Sequence, residues 1–479
     1  MSPLGYGNER AKALYDALPV SLQNGMSTLY GLRQRAQIYG GQYADIRASL
    51  ETSQWFDEPS VLSMRDDACV RFMQKAAVDS PYWREKFAAA GLGGRPLSVD
   101  ALGELPVLSK EQARQNMDRI ISRPWATGRR SGVPMHTSGT TGKALHMTLS
   151  RECWQREYAF RDLHRSWGGI MPGDPIATIA GHPVVPVDRM VAPYWRRNGA
   201  FNQTIFSSQH MKEATLPLYL AELERLQPRM IQGYPSSLYV LGLACLQAGD
   251  ERVRPASVFA HSETLFEWQR DVIERAFGCK VFNWYGNTEM TVNIVECERG
   301  SLHVKNEHSF VEFLRIDGTA AGPGEYARIV TTGFGNDATP LIRYDTGDMA
   351  VLSDASCECG RTGPIVKEIL GRQEDIFVTP DGRMVGRLDH VFKDALNVVE
   401  AQLVQDTMSR VVVRVVRRVG YAPADEASIL RELRLRLGVV IDVVFEYVER
   451  IPREANGKFR FAISRVPLPI RIDDSRVAL

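Results

Sequence analysis

The sequence predicts an α/β protein, with a large N-terminal domain of stacked sheets and helices followed by a small α+β domain. Three observations carry this. Between about residues 130 and 350, short apolar segments alternate with helical ones. Past Ala320 the pattern turns β-rich and reads as antiparallel. Past Gly371 a Val-rich strand, an amphipathic helix and a further strand form a module of ordinary domain size. The boundary is expected at Gly371, giving domains 1–370 and 371–479.

Residues 1–130 read as mainly helical. Segments 51–56 and 64–87 mix apolar and charged residues at helical spacing. Leu105-Pro106 and Arg123-Pro124 read as breaks. Strands are expected at 176–180, 230–232, 258–261 and 281–285, with helices at 217–227, 236–248 and 266–277 between them. Segments 326–331 and 341–344 follow as strands. In the small domain, 375–378 reads as a strand and 379–382 as a turn. Segments 410–418 and 439–447 read as strands. A helix at 425–437 should bury Ile429, Leu430, Leu433 and Leu437.

The 479 residues carry 58 basic and 57 acidic side chains, so the formal net charge is +1. That balance argues against a nucleic-acid binder or a binder of anionic membranes. With 44% hydrophobic residues the chain is not disordered. No stretch approaches the roughly 18 apolar residues a membrane span needs. The start shows no targeting pattern, and seven Cys suit a reducing compartment. A cytoplasmic location is expected.

The most informative segment is Thr137-Ser138-Gly139-Thr140-Thr141-Gly142-Lys143. Small residues let backbone approach a polyphosphate, hydroxyls and amides donate to its oxygens, and a Lys adds charge. It is not a Walker A loop: two residues separate the glycines, and Ala144 stands where a hydroxyl is needed. Alone, it could also be a Gly/Thr-rich surface turn.

Four further segments follow in order. They are Asn283-Trp284-Tyr285-Gly286-Asn287-Thr288-Glu289, Tyr344-Asp345-Thr346-Gly347-Asp348, Gly371-Arg372-Gln373-Glu374-Asp375 and Pro452-Arg453-Glu454-Ala455-Asn456-Gly457-Lys458. The set resembles the adenylate-forming superfamily of acyl-CoA synthetases. Ser80-Pro81-Tyr82-Trp83, Leu105-Pro106-Val107-Leu108-Ser109-Lys110, Gly233-Tyr234-Pro235-Ser236 and Glu400-Ala401-Gln402-Leu403-Val404-Gln405-Asp406 narrow the resemblance. They are similar to the phenylacetate–CoA ligase family and its capsule-cluster homologues.

The resemblance implies activation of a carboxylate, aryl by expectation, through ATP and Mg²⁺, then transfer to coenzyme A. It assigns the β- and γ-phosphates to the 137–143 loop and Mg²⁺ to Glu289. Thr288 falls by the α-phosphate. Adenine falls to Tyr285 and the Ser262-Glu263 pair, with Asn283, Trp284 and Gly286 as further cofactor-binding residues. Ribose falls to Asp348, and ribose or phosphate to Arg372. Lys458 would bridge carboxylate and α-phosphate, on a small domain that rotates about a hinge at Glu374. Relatives carry Asp or Lys at that hinge position.

Cys297, His303, Cys357 and Cys359 stand outside this scheme. Three thiols and one imidazole suit tetrahedral zinc, at a spacing unlike a zinc finger. Some relatives bind zinc at these positions. Unligated thiols are the alternative, and His308 is a substitute ligand. The acid should lie against the 181–206 segment, with His182, Tyr194, Trp195, Phe201, Phe259 and Tyr234 as candidate lining. Arg196 and Arg197 would either pair with an extra anionic group or be solvated. A carrier protein or an amine is the alternative acceptor, and a silent nucleotide-binding homologue is the alternative function. Relatives are often homodimers, though no residue pattern here marks an interface.

Overall fold

The computed structural model describes residues 14–137, 145–180, 184–186, 189–249, 251–372, 375–380, 384–385, 388–392, 395, 397–453 and 459–466. The chain divides into two compact units. One comprises Met1–Glu312, Val330–Thr346 and Ser353–Lys367. The other comprises Phe313–Ile329, Gly347–Leu352 and Glu368–Leu479.

The first unit opens with helices α1 (Val20–Ile38), α2 (Tyr43–Ser53), α3 (Glu58–Asp79) and α4 (Pro81–Ala89). The 64–87 segment, read as one helical stretch, is broken at Ser80. There the extended Ser80 caps α4 by accepting from the Trp83 N–H. Short helices follow: α5 (Lys110–Gln115), α6 (Met117–Ile120) and α7 (Arg123–Ala126). Ser109 and Gln112 form a capping box on α5. Pro124 starts α7 instead of breaking a helix, because a first-turn proline gives up an N–H that has no partner there.

Strands β1 (Val133–His136) and β2 (His146–Leu149) form an antiparallel hairpin. Helix α8 (Arg151–Trp167) follows, its Cys153 N–H donating to the cap Ser150. The central sheet then builds from β3 (Ile176–Ala180), β4 (Trp195–Asn198), β5 (Gln203–Ser207), β6 (Met230–Gly233), β7 (Ser257–His261) and β8 (Val281–Gly286). Helices α9 (Leu216–Leu226), α10 (Pro235–Ala248) and α11 (Glu267–Phe277) connect them. Strands β5, β3, β6, β7 and β8 run parallel in that order. Antiparallel β4 pairs with β5, and antiparallel β9 (Asn293–Glu296) pairs with β8. Strand β10 (Leu302–Val304) pairs antiparallel with β9. The carboxyl ends of the parallel strands therefore share one edge, where ligands bind in open α/β sheets.

Strands β11 (Ser309–Leu314), β12 (Tyr326–Gly333), β13 (Tyr344–Ser353) and β14 (Ile365–Arg372) follow. The strand expected at 341–344 begins only at Tyr344. Arg343 has φ +47°, a left-handed conformation that cannot continue a strand. The sheet buries Ile231, Leu238, Leu241, Val258, Ile273 and Phe277 against its helices. A second cluster, including Phe72, Trp83, Leu105, Leu145 and Tyr344, packs the N-terminal helices onto the β1–β2 hairpin.

In the second unit, β15 (Phe377–Val378) and β16 (Met384–Val385) form a small hairpin. A four-stranded sheet contains β17 (Val398–Thr407), β18 (Arg410–Arg417), β19 (Asp442–Tyr447) and β20 (Ala462–Ser464), in the order β19-β18-β17-β20. Helix α12 (Pro423–Leu437) buries Ile429, Leu433 and Leu437, and Leu430 is half-buried. Val439 and Val440 are exposed ahead of β19. Gly438, at φ +97°, turns the chain there before pairing with β18 begins.

Candidate nucleotide site and cysteine–histidine cluster

The hairpin β1–β2 closes the neck of the expected phosphate loop. The Thr137 N–H donates to the Leu145 carbonyl at 3.0 Å, and the Leu145 N–H donates to Thr137 Oγ1 at 3.0 Å. Ser138, Gly139, Thr140, Thr141, Gly142 and Lys143 lie outside the described residues, as do His182, Glu374 and Lys458.

The carboxyl end of β8 is rigid. The Asn283 N–H donates to Glu296 at 2.9 Å, and Trp284 Nε1 donates to Asn293 at 3.1 Å. A Cβ on Gly286 would come within 2.8 Å of Trp284 Nε1, so glycine is required there. Asn287 then stabilises the following turn by accepting from the Thr291 N–H at 2.9 Å. This turn leaves Thr288 exposed and sends Glu289 inward, to 5% exposure. Glu289 Oε1 accepts from the Tyr344 hydroxyl at 2.7 Å, and Lys110 Nζ stands 3.6 Å from the same oxygen. Neither partner was assigned a role from sequence, although both lie in the quoted motifs. Tyr285 is half-buried.

Ser262 follows the adjacent parallel strand β7, at φ +71°, with its Oγ 2.9 Å from His261 Nδ1. Glu263 accepts from the Ser236 N–H at 3.1 Å, in the first turn of α10, where a carboxylate favours the helix dipole. In the second unit, Asp348 and Arg372 form an ion pair at 3.1 Å. Asp375 accepts from the Arg372 N–H at 3.2 Å and from Arg460 Nε at 3.2 Å.

The candidate acid-pocket residues separate. Tyr194 and Phe259 are buried in apolar clusters. Phe201 lies 6.4 Å from the Tyr39 ring, and Tyr234 packs edge-on to His261. Arg196 is buried, held by Gln23 and by the Pro193 and Trp195 carbonyls, whereas Arg197 is exposed.

Cys297, His303, Cys357 and Cys359 converge, with all four ligand atoms within 4.8 Å of one another. Cys297 Sγ and Cys357 Sγ are 3.6 Å apart, and Cys359 Sγ and His303 Nε2 are 3.4 Å apart. Tetrahedral zinc with ordinary bond lengths would set these separations at about 3.8 and about 3.5 Å, so the residues fit the ion. His308 is engaged elsewhere, 3.3 Å from Glu157. Burial pushes the Cys297 thiol up to about 12 and pulls His303 down to about 4, leaving the imidazole neutral as a ligand requires.

Arg361 braces this cluster. Its N–H donates to Cys359 Sγ, and its guanidinium pairs with Glu298 at 2.7 Å and donates to Gln54 at 3.1 Å. It also lies 3.9 Å from the Trp167 ring and 4.7 Å from the Trp55 ring.

Residues 377–465 match the model for the CapK C-terminal domain. The chain is 27% identical to Protein CapK of Staphylococcus aureus, over 95% of this chain and 99% of that one. It is 26% identical to the phenylacetate–coenzyme A ligase of Escherichia coli K12, over 64% of this chain and 70% of that one.

The likeness is to Protein CapK and to phenylacetate–CoA ligases. A crystal structure of 2-hydroxyisobutyryl-CoA ligase, in the postadenylation state with an acyl-AMP, shares the fold. Its TM-score is 0.64 at 18% identity, covering 85% of this chain and 89% of that chain. Among the described residues, no helix is long and apolar enough to cross a membrane.

Proposed function

We propose that the chain activates a carboxylic acid with ATP and hands the acyl group to coenzyme A. The carboxylate attacks the α-phosphorus, the bond to pyrophosphate breaks, and an acyl adenylate forms. The coenzyme A thiol then displaces AMP and loses its proton, giving a thioester. The relatives named as CoA ligases and the acyl-AMP bound in the shared fold support this reading.

The observation that carries it is the setting of Glu289. A buried carboxylate stands at the carboxyl end of a parallel strand, held on one oxygen by Tyr344 and flanked by Lys110. Its other oxygen takes no hydrogen bond from a described residue, which suits a hard cation. In this reading Glu289 holds Mg²⁺, which would neutralise phosphate charge, and the Lys110 ammonium adds to that neutralisation. The 137–143 loop holds the β- and γ-phosphates, and Thr288 approaches the α-phosphate. Tyr285, Ser262 and Glu263 lie by adenine, and Asn283, Trp284 and Gly286 shape the strand end beside it. Asp348 accepts from the ribose hydroxyls, and Arg372 supports it.

Lys458 supplies the ammonium that offsets charge as the α-phosphorus becomes pentacovalent. The small domain turns about the segment after Gly371 between the two half-reactions. Zinc at Cys297, His303, Cys357 and Cys359 is structural in this reading, because four protein ligands leave no open position.

The test is acid-dependent formation of AMP from ATP with coenzyme A present, followed by mass detection of the thioester. AMP formed without thioester would reassign the acceptor to an amine or carrier protein. No acid-dependent AMP across aryl, hydroxyaryl, short aliphatic and sugar acids would contradict the reading.

A further inference from the structure

Helix α8 carries four arginines, and two of them have polar partners among the described residues. Arg156 donates to the Glu307 carbonyl, and Arg165 pairs with Asp162 at 3.2 Å and donates to Gln232 at 3.0 Å. Arg151 lies at the exposed start of the helix. Arg161 differs. It is half-buried, yet its guanidinium makes no hydrogen bond and no ion pair with a described residue. It stands 4.7 Å from the Tyr158 ring centre and 5.2 Å from that of Trp284.

The nearby acids are already engaged. Glu157 accepts from Asn293 at 3.2 Å and lies 3.3 Å from His308. Asp162 accepts from the Tyr43 hydroxyl at 2.8 Å and pairs with Arg165. Burial works against the Arg161 charge, but Tyr158, Glu157, Asp162 and Tyr39 outweigh it and hold the group charged. A half-buried guanidinium with no acceptor among the described residues keeps its N–H groups available, so it suits an acceptor brought by a ligand.

The surroundings indicate what that acceptor belongs to. Trp284 directly precedes Tyr285 at the carboxyl end of β8, so Arg161 abuts the strand end assigned above to the nucleotide. Tyr39, which biases the Arg161 charge, packs 4.7 Å from Tyr43 and 6.4 Å from Phe201. Among the described residues, the region is thus aromatic, with Arg161 a cation that no acid claims. A guanidinium stacked on rings keeps its edge N–H groups for a planar acceptor, and a carboxylate matches that fork with two oxygens.

We propose that Arg161 selects the acid, pairing with a second carboxylate on an acyl substrate whose body packs among Tyr39, Tyr158 and Trp284. This rests on the adenylation reading and adds to it a substrate class, dicarboxylic acids.

The test uses matched acids differing by one carboxylate: phenylacetate against homophthalate, benzoate against isophthalate, and butyrate against glutarate. Intrinsic tryptophan emission is titrated with each acid, and ATP–pyrophosphate exchange is measured with the same acids. The full-length chain is compared with Arg161→Gln and Arg161→Lys, each checked for an unaltered melting temperature. In at least one pair the dicarboxylate should bind, and exchange, at least tenfold better. Arg161→Gln should reduce that ratio at least tenfold, and Arg161→Lys should retain part of it.

A ratio that survives in Arg161→Gln overturns the proposal. So does a preference for the monocarboxylate in every pair, or the absence of any saturable emission change with the dicarboxylates. Selective binding lost in Arg161→Gln, without exchange by any acid, would support Arg161 while refuting adenylation.

Discussion

The Tyr344 hydroxyl donates to the buried Glu289 side chain at 2.7 Å, and a hydrogen bond to a carboxylate is worth about 1.5–3 kcal/mol. Tyr344→Phe should therefore weaken Mg·ATP binding about 10- to 100-fold, read as a KM increase for ATP larger than the change in kcat. An unchanged KM would remove Tyr344 from the site. His164 gives a pH prediction. Its Nε2 lies 2.8 Å from the Glu296 carbonyl, and the rings of Trp167, Phe259, Phe282 and Trp284 surround it. Burial lowers it to about 3. Between about pH 6.5 and that value the unfolded chain binds a proton that the folded chain does not, so stability falls as pH falls. The slope from this residue is at most about 1.4 kcal/mol per pH unit. Urea unfolding at pH 5 to 7 should show a shallower dependence in His164→Gln than in the parent. Equal slopes would contradict the assignment. The motif segments were legible because motif spacing is local. The Tyr344–Glu289 bond spans 55 positions, and the isolation of Arg161 depends on which neighbouring acids are engaged, so neither could be read along the chain.

At the scale of elements, the cysteine–histidine cluster joins the 357–361 loop to the start of β10 and the end of β9. Arg361 extends that brace to Gln54 and Trp167. Removing zinc should therefore disturb the Trp55–Arg361–Trp167 stack. Chelation should change tryptophan emission by at least about a tenth, and Trp55→Phe should reduce the change, since a structural site couples metal to local folding. Metal analysis of the purified chain should give close to one zinc per chain. A value under about 0.2 would contradict the site. Strands β3, β6, β7 and β8 were legible because both faces of parallel strands are covered, leaving apolar runs. Strand β4 was not. It pairs only with β5 among the described strands and reads Trp-Arg-Arg-Asn, a polar pattern that an edge strand tolerates. The helix at 425–437 was legible from its apolar face. Val439 and Val440 misled, because β-propensity gave no sign that pairing starts at Asp442.

At the scale of the whole chain, the α/β unit with a distinct C-terminal module was legible from a change in hydrophobic period, and the structure bears out that class. Which segments cluster with each unit was not legible, because Phe313–Ile329 and Gly347–Leu352 group with Glu368–Leu479 through contacts distant in sequence. Within that second unit, Asp375 joins the segment after Gly371 to Arg460, two residues beyond Lys458. Asp375→Asn should slow adenylation at least about fivefold more than it slows thioester formation from supplied acyl adenylate, a difference of about 1 kcal/mol. Equal losses would mean a purely structural role. The central claim is acid activation through an adenylate. The most direct measurement is carboxylate-dependent ATP–pyrophosphate exchange by the full chain and by Lys458→Ala. Exchange is expected with at least one acid, lost by a factor of at least about a hundred in Lys458→Ala while ATP binding persists. Equal exchange in the two proteins, or none with any acid in protein that binds ATP, would contradict it.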